Sequence, residues 1–296
     1  MGYIFLIIAL FCGAAKGFCG KKTSGFVAEY KDALFTNAIR MILCILIGFI
    51  LLAVQGNINL LWVDTSVIMI TLLSGVTTSA FVVLWLLAVR KGAYMMLDVF
   101  LTIGVIVPLV LSNIFFGEEI RINQWAGLAI LLVAVVIMCS YNNQIKEKMS
   151  ISSLVLLILC GTSNGLTDFS QKWFTKSVGG DAAVFNFYTY VFSAVVLIIL
   201  YLIERIKNPS RGSEGLLIKN IGIYVTIMAL CLFANSYFKT LAASYLSSAA
   251  LYPLNQGSAL ILSSFMSAIF FKEKLTPRCI IGIILSFVGL LVINLF

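Results

Sequence analysis

Lys16, Asp98, Asp168 and Lys239 stand inside or near the ends of long apolar runs, where an ionisable side chain needs a reason to be. A charge at the centre of a membrane helix costs about 2.5–3.5 kcal/mol on insertion scales, so those that persist are paired or functional. Lys16 is a fixed cation that could hold an anionic group, or pair with Asp168 when no such group is bound. Asp168 follows Asn164 by one helical turn, and Asp98 and Asp168 are the candidates for taking up and releasing a proton. A denser polar set lies at Tyr252, Pro253, Asn255, Gln256 and Ser258. Pro253 lacks a backbone donor and frees a carbonyl, so Tyr252, Asn255 and Gln256 could fix a polar molecule by hydrogen bonds. Asn235, Tyr237, Thr77, Thr78 and Ser79 offer similar groups, and Trp85 offers an aromatic face.

Each of these residues also has a plainer reading. Lys and Asp near helix ends can snorkel to the headgroups. Polar side chains can bond between helices for about 0.6 kcal/mol per contact, and Trp85 can simply fill space. Arg40, early in its run, reads as an interface anchor. Glu118 and Glu273 end equivalent runs and read as caps for the helices that follow, or as partners of Lys such as Lys272 or Lys274.

Several chemistries are excluded. Histidine is absent, which removes a Ser-His-Asp triad, an HExxH zinc site and a His proton relay together. Cys12, Cys19, Cys44, Cys139, Cys160, Cys231 and Cys279 are scattered with no CxxC pair, so they read as small buried hydrophobes rather than metal ligands or disulfides. There is no GxxxxGK[ST] loop for a nucleotide. No cofactor, no metal and no enzymatic centre are expected.

The elements that must position these groups are membrane helices. Hydrophobic residues make up 61% of the 296-residue chain and charged residues 11%, against roughly 45–50% and about 25% in soluble domains. Apolar runs and their punctuation predict ten spans: Gly2–Cys19, Leu34–Val54, Val67–Val89, Met95–Phe116, Gln124–Ser140, Ser152–Lys172, Ala183–Ile203, Ile218–Lys239, Ser247–Phe271 and Arg278–Leu295. Helices satisfy their own backbone in lipid, whereas these runs lack the polar alternation of a barrel. The net charge of +8 sits mainly in loops after odd-numbered spans, such as Lys21, Lys22, Arg90, Lys91, Arg205 and Lys207. Arg121, Lys172, Lys176 and Lys239 are assigned to the opposite loops. The positive-inside rule then puts the first group in the cytoplasm and both termini outside, and nucleic-acid binding is not expected.

The chain also repeats itself. SNIFFGE at Ser112–Glu118 matches SAIFFKE at Ser267–Glu273, and the same shift of 155 residues pairs Thr71 with Thr226 and Gly127 with Gly282. CGAAKG at Cys12–Gly17 faces CGTSNG at Cys160–Gly165, which makes Asn164 the mate of Lys16, and Asn37 matches Asn186. Five spans per half is an odd number, so the halves, residues 1–145 and 146–296, enter the membrane from opposite sides. Inverted repeats of this kind place a site near the midplane between them. Gly13, Gly17, Gly161 and Gly165 read as points of close helix approach.

Five-plus-five spans, with an apolar stretch ending in FFGE or FFKE before a short turn and a Gly-containing last helix, resemble the drug/metabolite transporter superfamily, nearest in type to its ten-helix EamA-like permeases. The resemblance covers essentially the whole chain. It implies an all-α integral membrane protein with a central cavity lined by the first, third, fourth, sixth, eighth and ninth helices. Lys16, Trp85, Asn164, Asp168, Asn235, Tyr237, Tyr252, Asn255 and Gln256 would then be cargo-binding candidates. It further implies a secondary transporter in the plasma (cytoplasmic) membrane, working as a monomer or homodimer by alternating access. Its cargo would be a small polar or amphipathic metabolite such as an amino acid. A lipid or sugar carrier of the same fold, a membrane-embedded enzyme and a non-transporting sensor are the alternatives.

Overall fold

A computed structural model describes residues 1–27, 29–91, 101–102, 104–139, 151–208, 214–270 and 277–295. They form ten α-helices: α1 (Gly2–Ser24), α2 (Tyr30–Val54), α3 (Thr65–Lys91), α4 (Ile106–Phe116), α5 (Ile122–Cys139), α6 (Ile151–Ser177), α7 (Ala182–Lys207), α8 (Glu214–Tyr245), α9 (Ser248–Phe270) and α10 (Pro277–Leu295). One 3-10 turn, Ile58–Leu61, joins α2 to α3, and no strand occurs among the described residues. Five of the helices, α1, α2, α3, α7 and α8, contain apolar stretches long enough to cross a membrane. The described parts of α4, α5 and α10 are shorter apolar helices. Most of the predicted start of the fourth span lies outside the described residues, as do Asp98, Lys272, Glu273 and Lys274.

The packing repeats as the sequence does. α1 runs along α8 while α3 runs along α6, and α2 and α7, like α5 and α10, pack on each other. Adding five to each helix number turns this set of pairs into itself. That is the signature of two equivalent five-helix units interleaved about a pseudo-two-fold axis. Most of the extensive contacts run between the units, so neither buries its own faces alone. The repeat mates Asn37 and Asn186 make matching bonds. Asn37 on α2 donates to the Val82 carbonyl of α3 at 3.3 Å, and Asn186 on α7 donates to Thr240 Oγ1 of α8 at 3.4 Å.

The distribution of side chains is that of a membrane protein. Phe11, Phe49, Ile199 and Ile223 face outward, while Asn37, Thr71, Ser74, Asp168, Lys172 and Asn186 are buried. Lipid tails attract apolar side chains as well as a neighbouring helix does, so helices associate through close packing and polar bonds. The closest approach is backbone to backbone. A Cβ on Gly104 would fall on the Gly161 carbonyl, and one on Gly165 would fall on the Gly104 carbonyl. Gly161 and Gly165 thus do what the sequence predicts, as does Gly13, where a Cβ would lie 3.1 Å from Asn235 Nδ2; Gly13 and Gly17 also line the cavity described below. Gly165→Ala is expected to lose about 1–3 kcal/mol, the range for overpacking a tight site. Gly222→Ala, with a single neighbour at 3.8 Å, is expected to be neutral in the same thermal melt.

Candidate functional site

The site is built from the apolar ends inward, and its anchor is the SNIFFGE turn. α4 stops because Gly117 takes the left-handed conformation, with φ 62°. Its N–H bonds back to the Asn113 carbonyl, and the Glu118 N–H bonds to that of Ser112. This Gly C-cap aims Glu118 back into the bundle. Glu118 Oε2 accepts the Ser248 N–H at the start of α9 at 2.9 Å, and Oε1 lies 3.1 Å from Lys172 Nζ and 3.5 Å from Lys176 Nζ. Lys172 also donates to the Ala243 and Leu246 carbonyls at the end of α8, at 3.0 and 2.6 Å. Ser112 and Ser248 share a hydroxyl bond of 2.8 Å. Burial alone would raise the Glu118 carboxyl, but the Ser248 bond and the Lys172 charge outweigh it and hold its pKa below the ordinary carboxylate value. Glu118 therefore caps α9 of the other unit rather than the helix that follows it. Lys172, assigned from sequence to a loop, is buried inside α6.

One layer deeper, Lys239 Nζ meets Asp168 Oδ1 at 2.5 Å. Tyr252 Oη donates to the Asp168 carbonyl at 2.5 Å, and Gln171 Nε2 donates to Ser236 Oγ at 3.1 Å and Thr240 Oγ1 at 3.2 Å. These bonds tie α6, α8 and α9 together. Lys239, for which snorkelling to the headgroups is the plainer reading, is instead buried and takes the Asp168 carboxylate, the group that the sequence also offers to Lys16.

Beneath this layer lies a cavity of about 80 Å³ with a mixed polar and apolar lining. α1 contributes Lys16, Gly13 and Gly17; α3 contributes Phe81 and Trp85; α6 contributes Asn164; α8 contributes Asn235 and Lys239; α9 contributes Asn255, Gln256 and Ser263. Leu101, just before α4, closes one side. Gly13 lacks a Cβ, and Asn235 Nδ2 passes 3.1 Å from where one would be, to reach the Ala9 carbonyl at 2.6 Å. Asn164 Nδ2 lies 3.4 Å from Asp168 Oδ2, and Asn255 Nδ2 donates to Gln256 Oε1 at 3.2 Å.

Of the residues singled out from sequence, the structure thus brings Lys16, Trp85, Asn164, Asn235, Asn255 and Gln256 to one cavity, with Asp168 behind Lys239. Two fall elsewhere. Tyr237 stacks on Phe233 at 6.2 Å and packs toward α2 and α7, and Tyr252 is a buried brace. Thr77 and Thr78 face Thr167, at 2.9 and 3.4 Å. Arg40, read as an interface anchor, is buried beside Lys16.

Two interleaved five-helix units enclosing a polar pocket between them define a membrane carrier of the drug/metabolite transporter type. The chain belongs to the EamA-like transporter family, whose profile matches it twice, over residues 1–140 and 151–295. No curated protein matches the chain. A solved crystal structure, titled only as that of a protein, superposes with a TM-score of 0.71 at 15% identity, covering 99% of this chain and 96% of that one. That likeness speaks to the fold alone.

Proposed function

We propose that the chain is a secondary transporter that moves a small polar or amphipathic metabolite, such as an amino acid, by alternating access across the plasma (cytoplasmic) membrane. The observation that carries this is the polar cavity where α1, α3, α6, α8 and α9 meet, under a layer of ion pairs at one end. A volume of about 80 Å³ holds only two or three waters, well short of the roughly 300–1,000 Å³ of ligand pockets. In this reading cargo enters as the units, divided near residue 145, rock apart. Lys16, Asn164, Asn235, Asn255 and Gln256 offer one cation and several amides to a polar cargo, with Trp85 as the apolar wall. Asp168 is the carboxylate whose protonation would release Lys239, which makes it the candidate for coupling transport to a proton.

Purified protein in sealed vesicles tests this. Counterflow of a labelled amino acid or another small polar metabolite is the expected result, reduced tenfold or more by Asn255→Leu. Flux of sugars or of lipid alone would redirect the cargo assignment, and no flux of any solute would remove the carrier reading.

A further inference from the structure

We propose that a wedge between α2 and α8, where the first unit meets the second, is a binding site for one acyl chain of a bilayer phospholipid. It shares no lining residue with the central cavity, and the proposal does not depend on the carrier reading.

α2 and α8 are both long and apolar enough to cross a membrane, and they run parallel at a constant offset of 185 residues. Cys44 Sγ donates to the Ala229 carbonyl at 3.4 Å, and a Cβ on Gly48 would lie 3.0 Å from the Phe233 ring. Followed back toward the helix starts, the same offset sets Thr36 against Ile221, but there the helices have parted. A Cβ on Gly222 would meet Ile218 of its own helix at 3.8 Å and no other described residue within contact. The opening holds about 260 Å³ between Phe35, Ile39 and Leu43 of α2 and Ile218, Ile221 and Val225 of α8. No charged side chain lines it among the described residues. The hydroxyl of Thr226, on its edge, is taken by the Gly222 carbonyl at 3.0 Å.

The repeat shows what such a place takes. The second unit has the equivalent place between α7 and α3 and fills it from within. Phe174, Phe185, Val67 and Ile70 pack there as a buried cluster, with the two rings 4.9 Å apart. The shifts that pair Cys12 with Cys160, Asn37 with Asn186 and Thr71 with Thr226 make their mates Phe26, Thr36, Gly222 and Val225. Thr thus stands where the second unit has Phe, and Gly where it has Val. Phe26 is 49% exposed where Phe174 is 1%. The first unit therefore leaves unfilled an apolar volume that the second unit packs with side chains.

What lies against the opening is the hydrocarbon of the membrane. Ile218 at its rim is 49% exposed, so the wedge opens sideways. Phe35 stands five residues beyond the start of α2 at Tyr30, about 7.5 Å at 1.5 Å per residue, which matches the roughly 5–8 Å of one headgroup layer. From Phe35 to Leu43 the wedge runs about 12 Å further, most of the ~15 Å of hydrocarbon in one leaflet. A single acyl chain fits that length, that depth and those walls. It supplies the dispersion contacts that a gap between helices forfeits.

The test gives the first unit the second unit's filling, by Thr36→Phe together with Gly222→Val. The full-length protein in lipid-free detergent is titrated with palmitoyl-oleoyl phosphatidylglycerol, with bound lipids counted by native mass spectrometry and stability read by thermal melt. The parent is expected to bind its first lipid at least tenfold more tightly than the filled variant. It is also expected to gain about 2–4 °C from the lipid, by binding to the folded state, and the filled variant less than half of that. Equal first-lipid affinity in the two proteins overturns the proposal. A dimer in the parent that the filled variant loses also overturns it, and assigns the wedge to a second copy of the chain. Should the double variant not fold, Gly222→Val, which adds its methyl groups to open space, is expected to weaken the first lipid threefold or more, and unchanged lipid binding there overturns the proposal as well. Vesicle flux enters none of these readings, so the lipid site and the carrier reading stand or fall separately.

Discussion

Lys239→Met is expected to destabilise the protein by about 3–5 kcal/mol, the cost of removing one partner of a buried ion pair. Asp168 is 1% exposed and would lose the ammonium bonded to it, keeping the Asn164 amide at 3.4 Å. Asp168→Asn is expected to cost less. The ammonium it strands lies on the cavity wall, where water can reach it. The double variant, with both charges gone, is expected to recover most of the loss, since replacing a whole buried pair is often neutral. Thermal melts of the four proteins form a double-mutant cycle that isolates the pair. Independent, additive effects would mean that the two side chains do not meet. Transport is expected to fall at least tenfold in all three variants, including the stable double variant, because a carrier coupled through Asp168 needs a carboxyl that can change partners.

The ten helices and their repeat were legible in the sequence, because apolar runs and polar mates survive as strings. What did not survive was which face of a helix meets what. In a soluble protein an apolar stripe points to the core, but here lipid and protein accept the same residues, so Phe11 outside and Leu6 inside look alike. Helix ends were misread for a related reason. A hydropathy boundary is drawn where a lysine closes an apolar run, and the predicted sixth and eighth spans therefore end at Lys172 and Lys239. In the structure α6 continues to Ser177 and α8 to Tyr245, because Glu118 and Asp168 neutralise those lysines within the bundle. These partners lie 54 and 71 residues away in sequence, beyond any local pattern. Arg40, read from its place early in the run as an interface anchor, is 3% exposed beside Lys16, and the neighbours that bury it lie on other helices, outside any local pattern.

Glu118→Gln is expected to unlatch one end of the cavity. Glu118 belongs to the first unit, and Lys172, Lys176 and the α9 N-terminus that it holds belong to the second. A carboxylate at a helix N-terminus and an ammonium at a helix C-terminus each favour the local dipole, so Glu118 with Lys172 closes α4, α6, α8 and α9 in one knot. The alternating access proposed above would require that knot to open in the opposite state. Gln keeps the hydrogen-bond acceptor for Ser248 but leaves Lys172, 2% exposed, without its carboxylate. The state open at this end should gain population. In vesicles, a cysteine at Leu10 on the cavity wall, with the native cysteines replaced, is expected to react several-fold faster with an impermeant maleimide from the Glu118 side. Equal labelling rates in the Gln variant and its parent would show that this cluster is not what holds the end shut. Acid gives an independent reading. The folded-state pKa of Glu118 is depressed, so its contribution to stability is complete above the unfolded-state value and is lost as pH falls through the folded one. A melt series across the acid range should therefore show a steeper loss in the parent than in Glu118→Gln, and the parent's labelling from this side, taken as a ratio to that of the Gln variant at the same pH, should rise over the same window.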